Sequence, residues 1–113
     1  MQSRLEHLDE IMRCWNKFQE ELPDAMAAHT AFKNEVYKGG ALSTKVKRLI
    51  ALAVGLQAGC PGCILGQTKF AIEAGATKAE VLEAVAVALS MGGTLVSSWS
   101  WMVVKEMEEM EKW

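Results

Sequence analysis

Two cysteines stand three residues apart in the stretch Ala58-Gly59-Cys60-Pro61-Gly62-Cys63-Ile64-Leu65-Gly66-Gln67, and the rest of the chain reads as a scaffold for them. Pro61 lacks a backbone N–H and has φ fixed near the helical value, so it suits a first helical turn, and Gly59 can form the turn before it. The stretch therefore predicts that one helix ends at Gly59 and the next begins at the cysteines. Unpaired N–H groups and the positive end of the helix dipole favour a thiolate there, which indicates redox chemistry.

Length and composition favour one compact domain, residues 1–113. Half of the 113 residues are hydrophobic, which is enough for a core and is high for so short a chain, so part of the surface is expected to meet another subunit. The net charge is −2 and no cluster of lysine and arginine is long enough to neutralise several phosphates, which argues against nucleic-acid binding.

Cysteine usage and hydropathy indicate where the protein works. Three cysteines, an odd number, argue against a disulfide-stapled framework and favour a transient, catalytic or metal-bound pair. No apolar run is long enough to span a membrane, and the first residues lack a signal-peptide core. We therefore expect a cytoplasmic protein that does not bind membranes.

Apolar residues recur at steps of three and four along the chain, which predicts helices and no strand. Proline or a capping side chain marks several helix starts, including Pro23, Ser43 and the capping box of Thr77 and Glu80. We predict helices from about Leu5 to Leu22, Pro23 to Tyr37, Ser43 to Gly59, Cys60 to Glu73, Thr77 to Gly92 and Leu95 to Trp113.

The third and fifth helices are apolar nearly all round, so they are expected to pack at the centre. The last helix has an apolar side for packing, with Leu95, Trp99, Met102, Val103, Met107, Met110 and Trp113. Its other side is expected to be mostly solvated, with Lys105, Glu106, Glu108, Glu109, Glu111 and Lys112.

Three further residues could carry chemistry. Cys14 lies beside an apolar stripe, where a cysteine is usually a small buried hydrophobe, and the alternative is a redox or ligand role. His29 shares a face with apolar residues and is interpreted as a hydrogen-bonded packing histidine, whereas His7 lies among charges and is expected to be exposed. The cysteine pair, Cys14 and either His29 or His7 could supply four zinc ligands, but their spacing is not diagnostic and no metal is expected.

Seven segments carry a resemblance to a known family. They are Leu22-Pro23, Gly39-Gly40-Ala41-Leu42-Ser43, Lys47-Arg48-Leu49-Ile50-Ala51-Leu52-Ala53-Val54, Gly59-Cys60-Pro61-Gly62-Cys63, Glu73-Ala74-Gly75-Ala76-Thr77, Glu80-Val81-Leu82-Glu83-Ala84 and Met91-Gly92-Gly93. In this order they resemble the carboxymuconolactone decarboxylase family, on its alkylhydroperoxidase D-like branch, over about 22–99. Residues 1–21 then form an added N-terminal helix, and 100–113 the end of the C-terminal helix.

The resemblance implies an all-α, alkylhydroperoxidase D-like bundle of about six helices around a central helical hairpin, assembled as homotrimers or homohexamers. It also implies a cysteine pair that reduces peroxides, is recharged by a thiol reductant, and needs no cofactor. In that branch the second cysteine, here Cys63, is oxidised to sulfenic acid, and the first, Cys60, then forms an intramolecular disulfide with it. The residues alone leave this order open, because Cys60 at the helix start is expected to be the more exposed.

The proton relay of the family is replaced in this chain. Its glutamate and two histidines correspond to Arg48, Gly62 and Gln67, none of which accepts a proton at neutral pH. Arg48 could still favour the thiolate through its charge, and Gln67 could hydrogen-bond the sulfur; alternatively, Arg48 belongs to a solvated basic turn with Lys45 and Lys47.

These observations predict an antioxidant, thiol-dependent peroxidase or disulfide reductase with Cys60 and Cys63 as catalytic residues. Its peroxidase activity is expected to be attenuated by the missing relay. A non-catalytic or regulatory oligomer is the alternative, and a lactone decarboxylase is less favoured, because those members rely on the acid–base residues that this chain lacks.

Overall fold

The computed structural model describes residues 2–113, and this range contains six α-helices and no strand. The helices are Arg4–Glu21 (α1), Pro23–Val36 (α2), Thr44–Ala58 (α3), Pro61–Glu73 (α4), Lys78–Gly92 (α5) and Thr94–Glu109 (α6). The predicted all-α fold is therefore confirmed. None of these helices combines the length and the apolar character that crossing a bilayer requires.

The helix ends follow the local signals in the sequence. The Ser43 hydroxyl accepts a hydrogen bond from the Val46 N–H at the start of α3. Thr77 and Glu80 form the predicted capping box of α5, in which each side chain accepts from the other residue's N–H. Gly59 ends α3 in the left-handed region, with φ 62°.

A hairpin of α3 and α4 lies at the centre of the domain. Helix α6 packs on both of its helices, α5 packs on α3 and α6, and α1 lies across α4 and α6, whereas α2 makes few contacts and buries no side chain. Completely buried apolar side chains fill the space between the helices, and each stabilises the fold by roughly 1.5–3 kcal/mol through its removal from water. The larger ones with no exposed surface are Leu52, Leu56, Ile64, Leu65, Val81, Val96 and Met107.

Helices α3 and α5 pack against each other, but they are not covered on most sides as the sequence suggests. Ile50 and Val54 on α3 are 48% and 61% exposed, and Val87 on α5 is 64% exposed. Two residues of the predicted packing side of α6, Leu95 and Trp113, are also half exposed. Within one chain, α4 and α6 supply much of the core instead.

Glu106 contradicts the prediction of a solvated side on α6. Its side chain is completely buried, and neither carboxylate oxygen has a hydrogen-bond partner among residues 2–113. The pKa of Glu106 is raised to about 8, mainly by burial and secondly by the negative charge of Glu109, while the positive charge of Lys69 partly opposes the rise. The acid is buried because α6 is covered by several helices, so its apolar side is wider than one stripe.

Glu109 also has a structural role that the sequence did not suggest. Its carboxylate accepts hydrogen bonds from the backbone N–H groups of Arg4 and Leu5, at N···O distances of 3.0 and 2.9 Å. These donors belong to the first turn of α1, where no partner exists inside the helix. The contact therefore fixes the start of α1 against the end of α6.

Candidate active site

The cysteine pair lies at the first turn of α4. Cys60 is the N-cap, and its sulfur accepts a hydrogen bond from the Cys63 N–H at 3.2 Å. The two sulfurs form a disulfide, and the Cα atoms are 5.2 Å apart, within the usual range for such bonds. The backbone therefore holds both sulfurs where they can bridge without a rearrangement of α3 or α4.

Two glycines make room for this turn, one within α3 and one at the C-terminal end of α3. A Cβ at Gly55 would lie only 2.9 Å from the Cβ of Cys63, so the absence of a side chain lets α4 approach α3 closely. The left-handed Gly59 lies against the Trp99 indole, whose nitrogen would be 3.0 Å from a Cβ there. The position of the pair thus depends on α3 and α6 as well as on its own helix.

Cys63 is the more exposed of the two sulfur-bearing residues. It is exposed, whereas Cys60 is half-buried, so the expectation that Cys60 would be more accessible is wrong. The side chain of an N-cap residue turns back over the first helical turn, and Cys60 does this in accepting from the Cys63 N–H. Of the pair, Cys63 is consequently the residue that is exposed and that lines a groove of the surface.

An open groove of about 480 Å³ runs beside Cys63 between α3, α4 and the end of α2. Its walls are mostly apolar and consist of Val36, Tyr37, Lys47, Ile50, Ala51, Val54, Gly55, Ala58, Cys63 and Gln67. The Lys47 ammonium donates to the backbone oxygens of Val36 and Lys38 and so caps the end of α2. No aspartate, glutamate or histidine of residues 2–113 lines the groove, so the site has no side chain suited to act as a general base at neutral pH.

Arg48 is held between two aromatic rings and does not belong to a solvated basic turn. Its guanidinium carbon lies 3.6 Å from the centre of the Tyr37 ring and 4.6 Å from that of Phe70. Its Nη1 donates to Oε1 of Gln67 at 3.2 Å, and Gln67 lines the groove with Cys63. The structure therefore brings Arg48 to Gln67, one helical turn from Cys63, while Gly62 faces Ile11 of α1.

Cys14 and the two histidines lie elsewhere and differ from their predicted environments. Cys14 is exposed and not a buried hydrophobe, because α1 is covered along one narrow stripe in which Leu8 alone is fully buried. His29 is exposed and contacts the edge of Trp15, with 5.9 Å between ring centres. His7, expected to be exposed, is half-buried, and its Nδ1 has no partner among residues 2–113.

The alternative zinc site is not formed by these residues. Across the described part of the chain, no three histidine, cysteine, aspartate or glutamate side chains come together in a group that could hold a metal ion. Structural zinc requires four such ligands in a tetrahedral arrangement. Cys14, His7 and His29 therefore do not complete a site with the cysteine pair.

Comparisons with known proteins all lead to one protein family. The family model of the carboxymuconolactone decarboxylase family matches residues 23–106. An uncharacterized protein of Cupriavidus necator is 35% identical over 86 residues, which is 76% of this chain and 76% of that protein. The crystal structure of a carboxymuconolactone decarboxylase family protein from Legionella pneumophila superimposes with a TM-score of 0.88 at 31% identity, covering 95% of this chain and 96% of the other.

A second solved structure is a family protein of Thermotoga maritima, described as a candidate for the antioxidative response. It is 28% identical, has a TM-score of 0.72, and covers 77% of this chain and 90% of its own.

Proposed function

The chain belongs to the carboxymuconolactone decarboxylase family, and we propose that it is a thiol-dependent oxidoreductase that cycles Cys60 and Cys63 between dithiol and disulfide. The observation that carries the proposal is the position of the pair: at a helix start, at bridging distance, with Cys63 open to an apolar groove. The Thermotoga maritima relative, described as a candidate for the antioxidative response, supports the same kind of activity.

With a peroxide, Cys63 is proposed to react first, since it is the more exposed residue of the pair and lines the groove. Its thiolate attacks one peroxide oxygen, the O–O bond breaks, and the leaving oxygen takes a proton to become an alcohol or water. Cys60 then attacks the resulting sulfenic acid, so that a disulfide forms and water leaves. A thiol reductant restores the dithiol and is itself oxidised to a disulfide.

Reduction of a partner's disulfide requires fewer catalytic groups than reduction of a peroxide. The reduced pair attacks one sulfur, a mixed disulfide forms, and the second cysteine releases the reduced partner. This exchange requires an accessible thiolate but no donor for a peroxide leaving group, and no aspartate, glutamate or histidine of residues 2–113 lines the groove. We therefore propose that the chain is a better dithiol reductase than peroxidase, working in the reducing environment of the cytosol that such recycling requires.

The cycle is tested by treating the fully reduced protein with cumene hydroperoxide and counting thiols. We expect the loss of two thiols per chain, one alcohol per disulfide, a Cys60–Cys63 bridged peptide in mass spectrometry, and a Cys14 that still alkylates. In Cys60→Ser the oxidation should stop at a sulfenic acid on Cys63 that dimedone traps, because no partner remains.

Two outcomes would contradict the proposal. A bridge that includes Cys14 would show that a different pair reacts. A dithiol that neither peroxide nor a disulfide such as oxidised glutathione converts would favour a non-catalytic oligomer with an idle thiol pair.

We further propose that the protein works as a homotrimer or a hexamer of trimers. An apolar cleft between α3 and α5 is lined by Val46, Leu49, Ile50, Ala53, Ala84 and Val87, and three of these side chains, Val46, Ile50 and Val87, are exposed. Met91, one turn beyond Val87, is 84% exposed. Contiguous apolar surface of this kind marks an interaction site, and closed symmetric assemblies are the commonest way to cover it.

Val87→Glu is expected to shift the assembly towards monomers, because a subunit contact would have to bury an unpaired charge. Light scattering coupled to size exclusion measures the mass. Ala86→Glu is the matched control: it adds the same charge to an exposed neighbour on α5 that does not line the cleft. A wild-type protein that is a stable monomer at micromolar concentration would refute the oligomer proposal.

A further inference from the structure

A second cavity lies on the other side of the Arg48–Gln67 pair, between α1, α2 and the inner helices. Its volume is about 280 Å³, below the usual range of roughly 300–1,000 Å³ for drug-sized ligands, so an occupant would be small. Tyr37 lines both this cavity and the groove of Cys63, whereas neither cysteine of the pair lines this one. The cavity is therefore a neighbour of the thiol site and not a part of it.

Basic and amide side chains supply the polar lining of this cavity. Lys33, His29 and Arg48 line it together with the amides of Asn16, Gln19 and Asn34, and no aspartate or glutamate is among its lining residues. Asparagine and glutamine can donate N–H groups to an anion, as lysine and arginine can. The lining thus offers many hydrogen-bond donors and positive charge, with no built-in negative charge to balance them.

The guanidinium of Arg48 is the part of this lining most clearly in need of a partner. It has five N–H donors, of which one is paired with Gln67, and no carboxylate of residues 2–113 lies within 4 Å of it. The rings of Tyr37 and Phe70 pack near its charge and reduce its access to water. A half-buried cation fixed in this way is pre-organised for a carboxylate, which matches the fork geometry of its donors.

Aromatic side chains form the rest of the wall. Trp15, Tyr37 and Phe70 line the cavity, and Trp15 is stacked on Phe18 with 5.5 Å between ring centres. Flat apolar surfaces of this kind bind a flat apolar body through burial and stacking. An inorganic anion would leave these surfaces unused.

We propose that this cavity binds a small carboxylate with a flat apolar body, the carboxylate pairing with Arg48 and Lys33 and the body lying against Trp15 and Tyr37. The site does not depend on the oxidation state of the cysteines. The carboxylate site can therefore be tested independently of the oxidoreductase activity.

The probe is benzoate, titrated calorimetrically against the intact full-length protein as purified. Its neutral analogue benzamide should bind at least about tenfold more weakly, because it lacks the charge that the guanidinium pairs with. Arg48→Met should weaken benzoate binding by a similar factor, and Lys33→Met by less, since Lys33 is exposed and its charge is screened. Lys105→Met, which removes an exposed cation from α6, is the control and should leave the affinity unchanged.

The proposal is overturned by equal affinity for benzoate and benzamide, by unchanged benzoate binding in both cavity variants, or by the absence of benzoate binding, with or without binding of inorganic phosphate. If Arg48→Met fails to fold, Arg48→Lys replaces it in the test. This variant keeps the positive charge but lacks the paired N–H donors of the guanidinium, so its affinity for benzoate should still fall. The variant Cys63→Ser should bind benzoate like the wild type. Loss of binding there would mean that the carboxylate occupies the thiol groove and not this cavity.

Discussion

Glu106→Gln will stabilise the folded protein strongly above pH 8 and hardly at all below pH 4.5. The substitution keeps the size and shape of the protonated acid and removes the ability to ionise, so it isolates the cost of a buried charge. Glu106 is completely buried without a hydrogen-bond partner among residues 2–113, and its pKa in the folded state is about 8 against an ordinary value of 4.5.

The direction follows from proton linkage. Below pH 4.5 the acid is protonated in both folded and unfolded chains, so it imposes no charge penalty. Between pH 4.5 and pH 8 the unfolded chain releases the proton and the folded chain keeps it, so the free energy of unfolding falls by about 1.4 kcal/mol per pH unit. Above pH 8 both states are ionised and the loss is complete, at an order of 3–5 kcal/mol.

Chemical denaturation from pH 4 to pH 9 measures this difference between the wild type and Glu106→Gln. The control is Glu108→Gln, which removes an exposed carboxylate from the same helix and should shift stability by less than about 0.5 kcal/mol at every pH. If the free energy of unfolding depends on pH in the same way in the wild type and in Glu106→Gln, the pKa of Glu106 in the folded protein is not raised and the prediction is wrong.

The double variant Arg48→Glu/Gln67→His is expected to reduce peroxide about 10²-fold faster than the wild type. Nη1 of Arg48 lies 3.2 Å from Oε1 of Gln67, so the two substituted side chains start within hydrogen-bond reach of each other. The new carboxylate can orient the new imidazole, which stands one helical turn from Cys63. A positioned general base typically raises the rate of a reaction by roughly 10²–10⁴-fold. We expect the lower end of this range, because the surrounding residues are not adapted to the new pair.

The single variants separate the contributions of the two residues. Gln67→His alone places the imidazole beside the Arg48 cation, which disfavours a second positive charge, so its gain should be smaller and should persist to lower pH. Stopped-flow turnover with cumene hydroperoxide across pH 5–9 should reveal a new histidine-like pH dependence in the double variant. Fast wild-type turnover that Gln67→Ala leaves unchanged would show that the thiolate is activated by other groups.

Features fixed by short stretches of sequence were predictable. Pro61, Ser43 and the Thr77–Glu80 box determine helix ends through bonds within one turn, and the structure places those ends where the sequence indicates. The roles assigned to Cys60 and Cys63 stay predictions, since the geometry is compatible with them and does not test reactivity.

Features that depend on which sides of a helix are covered were harder to predict. Cys14 and Glu106 were both misplaced, because periodicity reveals that a helix has an apolar face but not how many neighbours cover it. For Glu106 a signal existed: it lies three residues after Val103 and four before Met110, at the spacing of a shared face. Nothing in the sequence places Arg48 between Tyr37 and Phe70, since these contacts join three different parts of the chain.

Gly55 limits which substitutions the sequence can accept. Even the smallest side chain there would press on the Cβ of Cys63, so a change on α3 would displace a sulfur on α4. Gly40, by contrast, has open space where a Cβ would stand, and it can be exchanged with no such consequence. Variation at position 55 is therefore coupled to the cysteine pair: a related sequence with another residue at position 55 must also shift the turn that carries Cys63.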